Sequence, residues 1–151
     1  MKKEKKVAFF VRKSDEALYR TCLESLQALH LPAGYEAELF TLAAESPYAA
    51  QANKALTLSD AKYKIYINDD VRLVQSQLIE ELLTVFKDVS IGMVGVLGSR
   101  SLPCDGNVLE SDYKRGVVYV PTGRELSEMR FGEVSEEETA DVRFLLPSFY
   151  A

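Results

Sequence analysis

The fold of this chain is decided at residues 7–11, which read VAFFV between charged flanks. Five consecutive apolar residues indicate a strand buried on both faces, because a strand with one wet face would alternate apolar and polar residues. A helix-start signal follows at residues 14–16, and apolar residues then recur at positions 18, 22, 26 and 29. This spacing predicts one apolar helix face that ends before Pro32. A central strand of a parallel sheet, followed by a covering helix, fits the pattern best.

The same alternation continues along the chain. Strands are predicted at residues 36–42, 63–67 and 91–97, and helices at residues 47–58 and 78–86. Strands that alternate with helices of this length favour a parallel sheet with right-handed crossovers and helices on both faces. The predicted fold class is therefore α/β, in the form of a three-layer sandwich with a mostly parallel central sheet.

The pattern changes after residue 97. Residues 98–114 are polar and predict a long loop, of the kind that carries function or mobility. Two further strands are predicted at residues 116–120 and 142–146. The segment between them, residues 124–141, is rich in acidic side chains and is interpreted as a solvated loop.

Size and charge limit the classes of protein to consider. The chain has 151 residues, the size of one domain, and its basic start at residues 1–6 is interpreted as a solvated tail. The net charge of −5 argues against a nucleic-acid partner. The longest apolar run, residues 91–97, is far shorter than the roughly 18 residues that a membrane-spanning helix needs. Two cysteines without metal-ligand spacing favour a reducing, cytoplasmic setting.

Polar residues follow each predicted parallel strand, where open α/β sheets bind their ligands. The sharpest signal is Asn68-Asp69-Asp70, which places two adjacent carboxylates and an amide directly after a hydrophobic strand. Mg²⁺ typically takes one or two protein carboxylates together with waters and phosphate oxygens, so the aspartate pair suits a metal shared with a diphosphate. The alternative is that both aspartates simply cap a turn or the following helix.

Three segments together resemble the nucleotide-sugar half of a glycosyltransferase family 2-like protein, which has the GT-A fold. They are residues 51–54 (QANK), residues 63–71 (YKIYINDDV) and residues 91–99 (IGMVGVLGS). The resemblance covers about residues 5 to 105. It implies a nucleotide-diphosphate sugar as donor, an acceptor hydroxyl, and Mg²⁺ or Mn²⁺ as cofactor.

The resemblance also implies roles for individual residues. Asn68-Asp69-Asp70 stands in the place of the family's DXD motif, so Asp70 is expected to bind the metal, while Asn68 replaces the first acidic residue. Further nucleotide-sugar contacts are expected from Asp69 and from Arg12, Glu45 and Asn53.

Two hypotheses about function follow. The first is a hexosyltransferase-like enzyme, or its nucleotide-binding part, because the half that would bind the acceptor and supply a general base is expected beyond residue 151. The second is a non-catalytic interaction or assembly module that keeps the GT-A-like fold and self-associates into a homo-oligomer. The first predicts metal-dependent nucleotide binding, and the second predicts none.

Overall fold

The structure is a computed structural model that describes residues 3–45, 47–123, 125–132, 144–145 and 149–150. The described chain folds into two compact units, residues 1–94 with 148–151 (the first unit) and residues 95–147 (the second unit). The elements of the first unit are β1 (Lys3–Lys13), α1 (Glu16–Gln27), β2 (Glu36–Ala43), α2 (Tyr48–Leu58), β3 (Ala61–Asn68), α3 (Leu78–Val85) and β8 (Phe149–Tyr150). Those of the second unit are β4 (Leu97–Ser99), a 3-10 helix (Val108–Glu110), β5 (Lys114–Thr122), β6 (Glu125–Phe131) and β7 (Phe144–Leu145).

The sheet of the first unit has the strand order β2-β1-β3-β8. The first three strands are parallel, with Phe10 of β1 opposite Phe40 of β2 and Tyr66 of β3. β8 joins the edge in the antiparallel direction, with Tyr66 opposite Tyr150. The α/β class and the βαβαβ order predicted from residues 7–67 are therefore confirmed, with a parallel sheet of three strands.

The continuous apolar run of β1 is explained by burial on both faces. Val7, Phe9 and Val11 pack into one core, which also holds side chains of α1 and α3 such as Cys22 and Ile79. Alternate residues of a strand point to opposite faces. Ala8 and Phe10 accordingly enter a second core, which contains Ala55 of α2. The aromatic ring of Phe10 stacks on Phe40 and Tyr66, with centroids 5.0 and 5.1 Å apart.

The prediction of a strand over residues 91–97 is wrong. Residues 91–94 belong to no strand, and β4 begins only at Leu97. β4 pairs antiparallel with β5 and β7, so it is not a fourth parallel strand. Two glycines weaken the run because they offer no side chain to pack, and Met93 and Val96 are exposed. Burial of only part of the run, at Val94 and Leu97, does not hold a central strand.

The second unit contains an antiparallel sheet in the order β6-β5-β4-β7. The acidic segment 124–141 was predicted as a loop, but residues 125–131 form β6, in a hairpin with β5. The charged side chains of this strand are exposed to solvent, and Glu128 also pairs with Arg130 at 2.8 Å. Of the strand predicted at 142–146, residues 144–145 form β7, and the remainder lies outside the described residues, as do 133–141.

The basic start is not a solvated tail from Lys3 onward, because residues 3–6 are part of β1. Lys6 is buried, and its Nζ atom contacts carboxylates of Glu38 and of Asp60, the latter at 2.7 Å. Long lysine stems can lie along apolar surface while the ammonium group meets its partners. The prediction from charge alone is therefore wrong for residues 3–6. Residues 1–2 lie outside the described residues.

Candidate functional site

The carboxyl ends of β1, β2 and β3 lie side by side in the first unit, and this edge gathers most of the residues predicted to be functional. Arg12 is opposite Leu42 on one side and opposite Asn68 on the other. Glu45 follows β2 in an exposed turn. The parallel register therefore brings together side chains that are more than 50 residues apart in the sequence. We call this region the carboxyl edge.

Asp69 is buried, with 4% of its surface exposed, and its carboxylate is occupied by the segment that follows β1. It accepts hydrogen bonds from the backbone N–H and hydroxyl of Ser14 and from the N–H of Asp15, the last at 2.8 Å. The N–H of Asp69 donates in turn to the carbonyl of Arg12 at 3.1 Å. Burial alone would raise the pKa of Asp69, but these hydrogen bonds outweigh it and lower the pKa. The carboxylate stays ionised and joins two loops of the carboxyl edge.

Asp70 differs from its neighbour because its side chain is exposed. It lies in a tight turn after β3, closed by a hydrogen bond of 3.1 Å from the N–H of Val71 to the carbonyl of Asn68. In the part of the chain that the structure describes, no cluster of three or more His, Cys, Asp or Glu side chains could hold a metal by itself. A cation bound together with a diphosphate needs only one or two protein carboxylates, and an exposed carboxylate at a strand end fits that requirement.

Asn68 ends β3, on the face of the sheet opposite to Ile67. Its side-chain oxygen is buried and accepts no hydrogen bond from any described residue. A buried carbonyl oxygen without a partner costs free energy, so this atom is suited to an external partner. Amide and carboxylate oxygens such as those of Asn68 and Asp70 are of the hard type that divalent cations prefer.

Arg12 brings positive charge to the carboxyl edge. Its Nη2 donates a hydrogen bond of 2.9 Å to the carbonyl of Ala44, which ties the end of β1 to the turn after β2. Lys13 next to it is engaged on the other face, where its Nζ contacts Glu16 at 2.6 Å and lies 5.2 Å from the ring centroid of Tyr19. Of the two basic residues, Arg12 is the one placed beside Asn68.

Gln51 was not assigned a role from the sequence, yet the structure places it at the carboxyl edge. It lies on α2 with 7% of its surface exposed, and neither polar atom of its side chain has a hydrogen-bond partner among the described residues. It lines a cavity of about 10 Å³ together with Arg12, Phe10 and Tyr66. The signal available in the sequence was its spacing of four residues from Ala55, which is buried.

Asn53, which the resemblance singled out on the same helix, is exposed and does not line this cavity. The amide that α2 turns toward the sheet is therefore Gln51. The expected nucleotide contacts of Asn53 and Glu45 stay predictions.

The protein is of the α/β class, and the polar residues that could bind a ligand collect at the carboxyl ends of its parallel strands. Residues 8–151 match a family model described as a glycosyltransferase-like family, and the chain belongs to that family. No curated protein matches the chain. Within the described residues, no helix has the length and apolar character needed to cross a membrane. The family supports a general glycosyltransferase-like function, with a sugar-nucleotide donor and an acceptor.

Proposed function

We propose that the chain binds a nucleotide-diphosphate sugar at the carboxyl edge, in a GT-A-like three-layer arrangement, for transfer of the sugar to an acceptor hydroxyl. One observation carries the proposal. The exposed carboxylate of Asp70 follows Asn68, whose buried oxygen has no partner among the described residues, at the end of a strand paired with Arg12. Membership of the glycosyltransferase-like family supports the same ligand class.

Four residues of the carboxyl edge have defined tasks in this proposal. Asp70 and Asn68 would hold Mg²⁺ or Mn²⁺ through oxygen atoms. The chemistry that such an ion supplies when bound is neutralisation of the charge on the departing nucleotide diphosphate. Arg12 adds positive charge to the same edge, which favours a polyanionic ligand without a direct phosphate contact. Asp69 does not contact the ligand in this scheme, because its carboxylate already holds Ser14 and Asp15 in place.

The proposal is tested by calorimetric titration of the full chain with UDP, GDP, CDP and ADP, each with and without Mn²⁺ or Mg²⁺. We expect at least one nucleoside diphosphate to bind, and to bind at least tenfold more tightly with the ion. Asp70→Asn should remove that metal-dependent gain. Asp112→Asn is the matched control, because Asp112 is an exposed carboxylate of the second unit, and it should leave binding unchanged.

Two results would overturn the proposal. One is the failure of all four nucleotides to bind in the presence of either ion. The other is an unchanged metal dependence in Asp70→Asn. Failure of binding together with self-association in sedimentation would favour the second hypothesis, a non-catalytic assembly module.

A further inference from the structure

The buried amide of Gln51 is an unusual feature of the first unit. An amide carries two N–H donors and a carbonyl acceptor, and burial without partners leaves each of them unsatisfied. Gln51 is 93% buried, and its Nε2 and Oε1 atoms both lack partners among the described residues. Ala55, one helical turn away on α2, is packed in the apolar core instead. Packing alone would favour an apolar residue at position 51 as well, so the amide points to a ligand.

The cavity beside Gln51 limits what can enter. Its volume of about 10 Å³ suits one oxygen-sized group, such as a water molecule or a single carbonyl oxygen. The aromatic residues Phe10 and Tyr66, whose rings are stacked, line it on the side of the sheet. Arg12 also lines it and is only partly buried, so the cavity lies beside the solvent-accessible carboxyl edge. A planar ring at that edge could insert one of its exocyclic atoms.

The hydrogen-bonding groups that line the cavity determine which donors and acceptors the inserted edge of a ring must carry. The amide of Gln51 can donate to a carbonyl oxygen and accept from an adjacent ring N–H. The guanidinium of Arg12 has donors only, so it favours an inserted oxygen acceptor and disfavours an inserted amino group. A carbonyl beside a ring N–H is the edge of uracil and guanine, whereas cytosine and adenine present an amino group beside a bare ring nitrogen.

We propose that Gln51 reads the base of the donor nucleotide and selects a base whose edge carries a carbonyl next to a ring N–H. This inference rests on the proposed function, since it needs a nucleotide at the carboxyl edge. Gln51 thereby acts as a specificity-determining residue, and the base of the donor is uracil, its 5-methyl derivative thymine, or guanine.

The experiment compares the affinities of UDP, GDP, CDP and ADP for the full chain in the presence of Mn²⁺. We expect UDP, GDP or both to bind at least tenfold more tightly than CDP and ADP. The comparison of UDP with GDP then decides which base is used. Gln51→Leu keeps the volume of the side chain but removes its polar atoms. This substitution should lower the affinity for the preferred nucleotide at least tenfold, while the affinities for the other nucleotides change less than threefold. Gln27→Leu, the same substitution at an exposed position of α1, should change nothing.

The results separate this inference from the proposed function. Metal-dependent binding with equal affinity for all four nucleotides overturns the role of Gln51 alone, whereas no binding at all overturns both. If Gln51→Leu still prefers UDP or GDP over CDP and ADP, the inference is also overturned, because the amide then plays no part in base selection. If Gln51→Leu does not fold, Gln51→Glu decides. A carboxylate only accepts hydrogen bonds, so the preference must shift toward CDP or ADP, and an unshifted preference counts against the proposal.

Discussion

The carboxylate of Asp69 accepts a hydrogen bond of 2.8 Å from the hydroxyl of Ser14, which lies 55 residues earlier in the chain. This contact joins the end of β3 to the segment between β1 and α1. The carboxylate of Asp70 remains exposed to solvent. Two adjacent aspartates therefore have different environments, because the turn after β3 directs one toward the protein and the other toward the solvent.

Asp69→Ala should destabilise the first unit. The substitution removes the acceptor for the N–H groups of Ser14 and Asp15, and hydrogen bonds to a charged group are worth about 1.5–3 kcal/mol each. We expect the free energy of unfolding to fall by about 2–4 kcal/mol, measured by urea denaturation. Asp70→Ala is the control and should change stability by less than about 0.5 kcal/mol, since it is exposed. Equal losses in the two variants would contradict this assignment.

The contribution of Asp69 should depend on pH in one direction. Because the folded protein lowers its pKa below the ordinary value of 3.8, the folded state binds fewer protons at this site than the unfolded state. The stabilisation is complete above the unfolded pKa and is lost as the pH falls through the lowered, folded pKa. The difference in unfolding free energy between the wild type and Asp69→Asn should therefore be constant from neutral pH down to about 5 and shrink below about 4. A difference that grows on acidification would refute the prediction.

The two cysteines should react very differently with thiol reagents. Cys22 is buried, and burial, followed by the charges of Asp69 and Asp70, raises the pKa of its thiol to about 11. Cys104 is exposed. Since the thiolate is the reactive form, only Cys104 should be modified by an aromatic disulfide reagent in the native protein near neutral pH. Cys104→Ser should then be unreactive until urea is added, and rapid native labelling of that variant would show that Cys22 is accessible.

Gly116→Ala should strongly destabilise the second unit. Gly116 has a φ of 150°, and an added Cβ atom would overlap the carbonyl oxygen of Val96 and approach the Cα atom of Leu97 to 2.9 Å. Overpacking against backbone, added to the strained φ angle, is expected to cost about 3 kcal/mol or more. Gly123→Ala is a useful control, because Gly123 has a φ of 67° with open space around it, so only the backbone term of about 1 kcal/mol applies. Thermal unfolding of both variants measures the difference, and equal shifts would argue against the close approach of β4 and β5.

The parallel half of the fold could be predicted from sequence because its signals are local. The apolar run of β1 and the spacing of Cys22 and Leu26 in α1 report burial directly, and both are packed in the core. The run at residues 91–97 carried the same apolar signal, but only part of it is covered: Val94 packs against the core and Leu97 is buried, whereas Met93 and Val96 are exposed. Burial of an apolar segment depends on what lies beside it, and no local pattern contains that information.

The candidate site divides in the same way. The ends of β1 and β3 could be located from sequence, so the shared position of Arg12, Asn68 and Asp70 at one edge of the sheet could be predicted. The different environments of Asp69 and Asp70 could not be predicted, because they depend on a contact of Asp69 with Ser14, which is distant in sequence. Gln51 was overlooked for a related reason. Its orientation depends on how α2 packs against the sheet, and a glutamine in a helix is ordinarily exposed.

The sequence by itself determined the order of strands and helices from β1 to α3 and the edge at which polar residues collect, because both follow from hydrophobic periodicity and from the common direction of parallel strands. Only the tertiary structure decided which of those polar groups are occupied and which are available. Asp69 is held by Ser14, whereas Asp70 faces solvent and Gln51 faces a small cavity. The physical reason is that a hydrogen bond between distant residues is made by the packing that brings them together, and packing is a property of the whole fold.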